Sequence, residues 1–547
     1  MKRYLTCLLA FVLILSALMP GTTRAEQTYE ERMLAMAEAA EPTTLPLTDS
    51  GEKLTLFMNF NGRQIYNSMD EHPVIQKIEE LTGVDLEIIC PPAGDDGTFF
   101  NTIVASGDWP DLFRNNFQTY PGGVMGAIDD GIILEWNPLV EQYMPNFVTK
   151  IAGLGEKVYK HLVNDDGTFT RVACYLDPPV LDGVQHRGMV IRKDVLDKLN
   201  LEVPRTVEEF TNVLRAFKEN GMQTPYALSA LTDYNNVTFG NWLTASWDVA
   251  VNNYMIGEND TIYYSRTSDR YKDALKCLNS WYNEGLIDRD FINRTTSDAK
   301  KLVISGDAGV CNIGCWEAPE MLKLGKMEDE GFEIIGVPMM RLEDPDQVLN
   351  VGGKRENGTD GPGWHVSTAC EDPRLAAKFI DWLYTDEAIL LTNFGVGDLG
   401  DGNSTYYQGE DGRYYFTDFM TNNPDWDFNT IRPFYTIQDL QVEYHNDFIT
   451  WQYDTDIQRQ CWAAWAYNLT NNELIPTTIS RTVEEGRAFS ANQNEIETYT
   501  DEMTYKFICN ELSIDDNWDE YIATIESLGL QENIDIQTAA YQRWLNR

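Results

Sequence analysis

A strand, a helix and a second strand follow one another near the start of the chain. Residues 53–60 (KLTLFMNF) are mostly apolar, which predicts a strand. Residues 70–81 predict a helix, because apolar side chains recur at helical spacing after Pro73 and Gly83 stands at the end. Residues 84–88 (VDLEI) alternate like a second strand. Strands joined by a helix pair in parallel through a right-handed crossover, so we expect an α/β lobe here.

The same alternation of strands and helices returns further along the chain. Residues 189–191 predict a strand, and Thr206 with Glu209 forms a capping box at the start of the next helix. Residues 309–313 predict a short buried strand, and residues 334–338 predict another. The chain has 547 residues, which is more than one ordinary domain holds. We therefore expect at least two lobes.

The first residues have the pattern of a secretory signal. Lys2 and Arg3 precede a short apolar run over residues 8–19, and small residues follow up to a predicted cleavage after Ala25. The apolar run is too short to span a bilayer, which takes about 20 residues. Residues 26–50 are acidic and Ala-rich, with two prolines and several Ser and Thr, and are predicted to form a tether. The chain is therefore expected to be exported, to the extracellular face of the membrane or to a periplasm.

The net charge excludes some classes of partner. It is −44 at pH 7, so phosphate backbones and anionic lipids are repelled, and no nucleic-acid partner is expected. The 12% aromatic content, with 14 Trp, argues for a folded chain. Nine Cys are present without a CxxC pair. Cys311 and Cys315 would lie ~13 Å apart on one strand, too far to bridge, so we expect buried thiols.

The sequence contains no local pattern of catalysis or of a cofactor site. The five His are scattered, and neither HExxH nor GxSxG occurs. Residues 395–400 match GxGxxG but follow a predicted helix, which argues against a dinucleotide site. Asp398, Asp401 and Asn403 lie close enough to bind calcium, but they depart from the EF-hand spacing, and a solvated loop is expected. No catalytic residue, metal or cofactor is predicted.

Six segments in a fixed order carry a resemblance to a known family. They are HPVIQKIEELTGVDLEI (72–88), ASGDWPDLF (105–113), NPLVEQYMPNF (137–147), IRKDVLDKLNLEVPRTVEEF (191–210), YKDALKCLNSWYNEGLID (271–288) and DPRLAAKFIDWLYTDEAILLTNFG (372–395). These segments resemble the extracellular solute-binding proteins of carbohydrate importers, the family that includes maltose-binding protein. The C-terminal part, with the aromatic tract YYQGEDGRYYFT (406–417), resembles the larger polysaccharide- or oligosaccharide-binding lipoproteins.

This resemblance implies a two-lobed α/β fold with a hinge and a ligand cleft between the lobes. Carried over by segment, the first lobe would hold residues 51–172 and 336–384, and the second residues 175–335 and 385–547. The protein would be a monomer that captures a sugar and delivers it to the transmembrane subunits of an ABC permease. The chain departs from the larger family members in one respect: Cys7 precedes the apolar run and cannot serve as a lipobox, so the sequence does not support a lipid anchor.

Sugars present flat C–H faces and rims of hydroxyls, so their sites combine aromatic platforms with polar side chains. Ligands of open α/β sheets lie beyond the carboxyl ends of the strands. A Trp near position 316 stacks on the ligand in the resembling family, which makes Trp316 the first candidate. The other candidates follow predicted strands or lie in aromatic segments: Asn61, Arg63, Asp108, Trp109, Tyr120, Tyr175, Arg187, Trp242, Trp247 and Trp364.

Two alternatives to a sugar-binding importer component remain open from the sequence. Carboxylates are so abundant that a glycosidase pair could be present without a local motif, which would make the chain a secreted carbohydrate-active enzyme. An importer protein for a peptide or another small solute is the second alternative, because aromatic residues also fill ordinary cores.

Overall fold

The computed structural model describes residues 28–59, 66, 68–91, 96–115, 117, 120–173, 175–176, 185–230, 244–251, 254–353, 359–360, 362–452, 455–476 and 479–546. Its strands are, in chain order, β1 (Lys53–Phe57), β2 (Asp85–Ile89), β3 (Leu112–Arg114), β4 (Tyr175–Leu176), β5 (Arg187–Arg192), β6 (Tyr226–Ala227), β7 (Tyr254–Ile256), β8 (Ile262–Tyr264), β9 (Val310–Gly314), β10 (Ile334–Gly336), β11 (Thr359–Asp360), β12 (Trp364–Val366), β13 (Tyr406–Gln408) and β14 (Tyr414–Phe416).

The α-helices outnumber the strands and follow them in both lobes. They are α1 (Tyr29–Ala39), α2 (Pro73–Thr82), α3 (Asp96–Ser106), α4 (Gly123–Asp129), α5 (Asn137–Tyr143), α6 (Pro145–Leu154), α7 (Glu156–Lys160), α8 (Lys193–Leu199), α9 (Val207–Glu219), α10 (Asp269–Glu284), α11 (Thr296–Ser305), α12 (Ala318–Glu328), α13 (Pro373–Trp382), α14 (Asp386–Phe394), α15 (Asp418–Thr421), α16 (Phe428–Tyr435), α17 (Asn446–Gln452), α18 (Asp456–Trp465), α19 (Val483–Ile508), α20 (Ile514–Ser527) and α21 (Leu530–Leu545).

The first sheet has the strand order β12-β3-β1-β2. Strand β1 pairs in parallel with both β2 and β3, and β12 closes the edge in the antiparallel sense. The β1–α2–β2 unit predicted from the sequence is therefore confirmed. Helix α2 begins behind the N-cap His72 and ends at Gly83, which adopts the left-handed conformation. Leu56, Ile78 and Leu112 are buried between sheet and helices, so the hydrophobic effect holds this lobe together.

The second sheet has the order β10-β5-β9-β6. Strand β5 pairs antiparallel with both β10 and β9, while β6 pairs in parallel with β9. The capping box of Thr206 and Glu209 opens α9, as its sequence predicts. The buried faces of α9 and α10 cover this sheet with aromatic and aliphatic side chains. Two α/β lobes are thus present, which confirms the predicted fold class.

Residues 28–47 correct the prediction of a tether. Residues 29–39 form helix α1, and Met33 is only 6% exposed against the first core. The Tyr29 hydroxyl donates to the Ile151 carbonyl at 3.1 Å, and Glu41 pairs with Arg374 and Lys378 at 2.6 and 2.7 Å. The acidic composition suggested a solvated linker, but Tyr29, Met33 and Met36 pack on the first core, while Leu34 stays exposed.

The hydrophobic cores also divide the chain differently from the predicted lobe boundaries. Residues 337–351 contribute Val337, Met340 and Leu349 to the second lobe, although 336–384 was assigned to the first. Residues 388–391 and 437–442 contribute to the first core, although they lie after the predicted boundary at 384. An additional aromatic cluster, built around Phe394, lies within residues 394–449. Helices α19–α21 pack on the second lobe.

Candidate functional site

Trp316 lies where β9 ends. Strand β9 stops at Gly314, and a short 3-10 helix over Cys315–Glu317 carries the half-buried indole away from it. The ring lies directly on Gly314, since a Cβ at that position would come within 2.3 Å of Trp316 Cζ2. The Gly314 N–H donates to Glu317 Oε2 at 2.8 Å, and Lys300 pairs with Glu317 at 2.5 Å. The turn that aims the indole is therefore fixed by hydrogen bonds at both of its ends.

Arg187 is the second predicted residue at this place. It begins β5 and stands opposite Gly314 in the antiparallel register. Its guanidinium lies over the Trp316 ring, with Cζ 5.4 Å from the ring centroid, in a cation–π contact. The sheet thus brings together two residues that are more than 100 positions apart in the sequence, an aromatic platform and a planar hydrogen-bond donor.

His186 lies against Cys315, the residue before Trp316, and Trp462 lies against His186; neither was predicted from the sequence. The His186 carbonyl accepts from the Cys315 N–H at 2.8 Å. The His186 imidazole contacts the Trp462 ring edge-on, with the ring centroids 5.8 Å apart. Trp462 is half-buried on α18. No local pattern could have found these residues, because α18 reaches the site only through the packing of Trp465 and Cys461 against the second sheet.

Two titratable groups beside the indole have raised pKa values. Burial raises the pKa of the Cys315 thiol to about 12, so it stays protonated. Burial also raises the pKa of the nearby Glu320 carboxyl, and Asp427 adds to that effect by like charge. Cys311, Cys315, Cys370 and Cys461 are buried thiols, as the sequence predicts.

Three of the predicted contact residues, Asp108, Trp109 and Tyr120, lie in the first lobe. The Trp109 indole N–H donates to the Val104 carbonyl at 3.0 Å, and the ring packs on the Phe cluster below β1 and β3. Asp108 is exposed, and its backbone N–H donates to Ser106 Oγ at 3.1 Å. The Tyr120 hydroxyl donates to Asp130 Oδ2 at 2.8 Å. Their contacts with a ligand stay predictions.

Trp364 needs correction. Its side chain is 0% exposed on β12 within the first core, and its carbonyl accepts from the Trp136 indole at 2.7 Å. Such burial argues against the predicted contact with a ligand. Trp247 ends a 3-10 helix and packs, half-buried, on the second core. Tyr175 lies on β4, which pairs with β11. Asn61, Arg63 and Trp242 lie outside the described residues.

The loop considered for calcium folds back on itself. The N–H of Gly400 donates to Asp398 Oδ1, and the N–H of Asn403 donates to Asp401 Oδ1, both at 2.9 Å. Within the described part of the chain, no group of three or more His, Cys, Asp and Glu side chains is placed to hold a metal ion. In the same residues, no helix is long and apolar enough to cross a membrane.

Two α/β lobes, with an indole and a guanidinium at a strand end beside the segment that enters the second lobe, are typical of solute-binding proteins. Residues 180–396 match the model of the bacterial extracellular solute-binding protein family. The resemblance found in the sequence is thereby confirmed.

Curated relatives and a solved structure align with most of the chain. The chain is 24% identical to the fructooligosaccharide ABC transporter substrate-binding protein FusA of Streptococcus pneumoniae, over 92% of each chain. It is also 24% identical to the polygalacturonan/rhamnogalacturonan-binding protein YtcQ of Bacillus subtilis, over 86% of this chain and 88% of the relative. The fold matches the alginate-binding protein AlgQ2, with a TM-score of 0.74, 22% identity and coverage of 91% and 99%.

Proposed function

We propose that this chain is the substrate-binding component of an ABC importer and captures an oligosaccharide between its lobes. The observation that carries the proposal is the partly exposed Trp316 indole at the carboxyl end of β9, which lies against Gly314 and beside the Arg187 guanidinium. A flat, partly exposed ring at a strand end is the surface on which the C–H face of a pyranose or furanose stacks. FusA and YtcQ are carbohydrate-binding proteins, which supports a carbohydrate as the ligand.

Arg187 and Trp462 would complete the binding site. The Arg187 guanidinium presents N–H donors at the edge of the platform, where the hydroxyls of a stacked sugar lie. Trp462 adds a second indole on the same side of the second lobe. Contacts from the first lobe would then favour the closed arrangement, since a ligand shifts an equilibrium by its differential affinity for the two states.

We propose no catalysis by this chain. The family members found are binding proteins, and the site described above combines a platform and donors with thiols that stay protonated. A secreted enzyme would need two opposed carboxyl groups about 5–10 Å apart across the cleft. Glu320, whose carboxyl pKa is raised, lies near Asp427, which belongs to the segment that contains the aromatic cluster around Phe394.

The proposal is tested by titrating the purified protein with neutral and acidic oligosaccharides while intrinsic Trp fluorescence is recorded. A saturable change without product formation, checked by chromatography after long incubation, is expected. Trp316→Ala should lose binding, whereas Trp544→Ala, which removes an indole stacked on Tyr541 of the C-terminal helix α21, should keep it. Turnover of a sugar would overturn the proposal, and so would saturable binding of peptides alone.

We further propose that the protein works outside the cytoplasm beside its permease. The predicted signal lies in residues 1–25, outside the described residues. One relative, 26% identical over 65% of this chain, is the lipoprotein LipO of Bacillus subtilis. Fractionation of cells fed a labelled fatty acid separates an anchored protein, which carries label in the membrane fraction, from a freely exported protein, which carries none.

A further inference from the structure

Two arginines of the C-terminal helices reach from the second lobe to the first. Helices α19 and α21 belong to the second lobe, because Ile496, Phe507 and Tyr541 are buried in its core. The first turn of α19 and the last turn of α21 nevertheless extend beyond that core. Arg487 lies in the first of these turns, and Arg543 lies in the second.

Arg487 pairs with the end of α4 in the first lobe. Its Nη2 lies 2.7 Å from Asp130 Oδ1 and 3.3 Å from Asp129 Oδ2. The Tyr120 hydroxyl donates to the other oxygen of Asp130 at 2.8 Å. Hydrogen bonds from Tyr120 and from Arg487 hold the pKa of Asp130 below its usual range, so the carboxylate is charged at neutral pH.

Arg543 makes a similar connection a short distance away. Its Nε lies 3.1 Å from Asp165 Oδ2, and Asp165 belongs to the loop between Val163 and Phe169 of the first core. On the other side, Arg543 Nη1 donates to Glu485 Oε1 at 3.0 Å, and Nη2 donates to the Ser480 carbonyl at 3.0 Å. Glu485 thus ties Arg543 to the same first turn of α19 that carries Arg487.

The backbones of the two lobes also meet at this point. Gly486, beside Arg487, faces Gly122, and a Cβ on Gly486 would lie 3.1 Å from the Gly122 Cα. A Cβ on Gly122 would lie 3.3 Å from Arg487 Cγ, and Gly122 has a φ of +82°. The absence of both side chains therefore lets the helix end approach the loop closely enough for the ion pairs to form.

This contact lies at the edge of the first sheet where a ligand would enter. Asn115, Phe117 and residues 120–122 follow the carboxyl end of β3, which pairs in parallel with β1, and the carboxyl edge of such a sheet faces the ligand. We propose that an ionic clasp holds the lobes together and thereby sets the affinity for the ligand. The clasp consists of two arginines and the three carboxylates they pair with: Arg487, Arg543, Asp129, Asp130 and Asp165. The inference about affinity rests on the proposed function, whereas the inference about lobe closure does not.

The clasp is tested with Arg487→Gln, which removes the charge and keeps the length of the side chain. Small-angle scattering of the ligand-free protein at low salt should show a larger radius of gyration than the wild type. Exposed ion pairs shift an equilibrium by up to about fivefold each, so the Kd for an oligosaccharide should rise about two- to fivefold. Added salt should expand the wild type more than the variant, in which only the Arg543–Asp165 pair of the clasp remains.

Arg215→Gln is the matched control, because Arg215 pairs with Glu284 at 2.7 Å within the second lobe. It should leave the radius and the affinity unchanged. Gly486→Ala tests the close approach without removing a charge and should give the expansion of Arg487→Gln. In a double-mutant cycle, Arg487→Gln and Asp130→Asn should be non-additive, because each removes the same pair.

The outcomes separate the clasp from the proposed function. An unchanged radius in Arg487→Gln, or a tighter Kd than in the wild type, overturns the clasp even if the protein binds sugars. If no oligosaccharide binds, scattering alone still decides: expansion of Arg487→Gln and Gly486→Ala, but not of Arg215→Gln, supports the clasp although the proposed function fails.

Discussion

Replacing Gly314 by Ala should displace the Trp316 indole while leaving the fold intact. Gly314 has φ −79° and ψ 146°, an extended conformation that alanine adopts without strain. The added Cβ would lie 2.3, 2.4 and 2.6 Å from Cζ2, Cε2 and Cη2 of the indole. Carbon atoms in contact are about 3.5 Å apart, so the ring must move by roughly 1.2 Å.

A movement of this size is large for a platform whose partner is a rigid sugar ring. Buried aromatic anchors contribute about 2–4 kcal/mol to binding, and losing about half of that corresponds to a roughly five- to thirtyfold rise in Kd. Trp316→Ala should raise the Kd at least as much as Gly314→Ala does. The half-buried indole can swing toward solvent, so we expect Gly314→Ala to change the free energy of unfolding by less than about 1 kcal/mol.

Isothermal titration of wild type, Gly314→Ala and Trp316→Ala with one oligosaccharide decides the question, with urea unfolding of each protein as the check on stability. Gly153→Ala is the control, since a Cβ at that helical position meets nothing within 4 Å. If Gly314→Ala binds with the affinity of the wild type and is equally stable, the indole is not the platform, and the geometric reasoning fails.

Three further predictions concern buried residues of the first lobe. Trp364→Ala should lower the free energy of unfolding by about 3–5 kcal/mol in urea, because its side chain is fully buried, whereas a ligand-contacting residue at a cleft would cost far less. Asp381→Ala should lower the free energy of unfolding by about 2–4 kcal/mol, because Thr43 Oγ1, Asn146 Nδ2 and the Phe147 N–H all donate to that carboxylate at 2.6–2.9 Å. The same change should make residues 28–47 accessible to protease. Burial lowers the pKa of His72 to about 4, so below about pH 6.5 the unfolded state binds a proton that the folded state does not. Acidification from about pH 7 to 4 should therefore lower the free energy of unfolding of the wild type by about 2–3 kcal/mol more than that of His72→Asn. Equal pH profiles of the two proteins in calorimetry would contradict this.

The elements that could be predicted are those in which local chemistry decides the structure. Gly83 ends α2 in the left-handed conformation, and Thr206 with Glu209 caps α9, because both depend on side chains within a few residues. The β1–α2–β2 unit follows from periodicity and from the handedness of crossovers. At the site, Trp316 was found by resemblance, whereas Arg187 became its neighbour through the register of β5 and β9.

The residues that escaped prediction depend on contacts between distant segments. Residues 26–50 have the composition of a linker, but Met33 and Tyr29 find a docking surface on α6 that no local pattern reveals. Trp364 is of a residue type that often stacks on ligands. It is buried because β12, which lies far along the chain from β3, pairs with β3 in the first sheet. Trp462 reaches the site only because α18 packs on the second sheet.

The position of Arg187 links binding to the movement of the lobes. It begins β5, immediately after the segment that leaves the first lobe, and Gln185 in that segment donates to the Gly352 carbonyl at 2.7 Å. Residues 337–351 belong to the second core, so Gly352 lies where the chain leaves that lobe again. Two crossing segments are thus hydrogen-bonded to each other beside the Trp316 platform. A sugar held by Trp316 and Arg187 would therefore lie next to the two segments that connect the lobes, so its binding would be sensitive to their rearrangement.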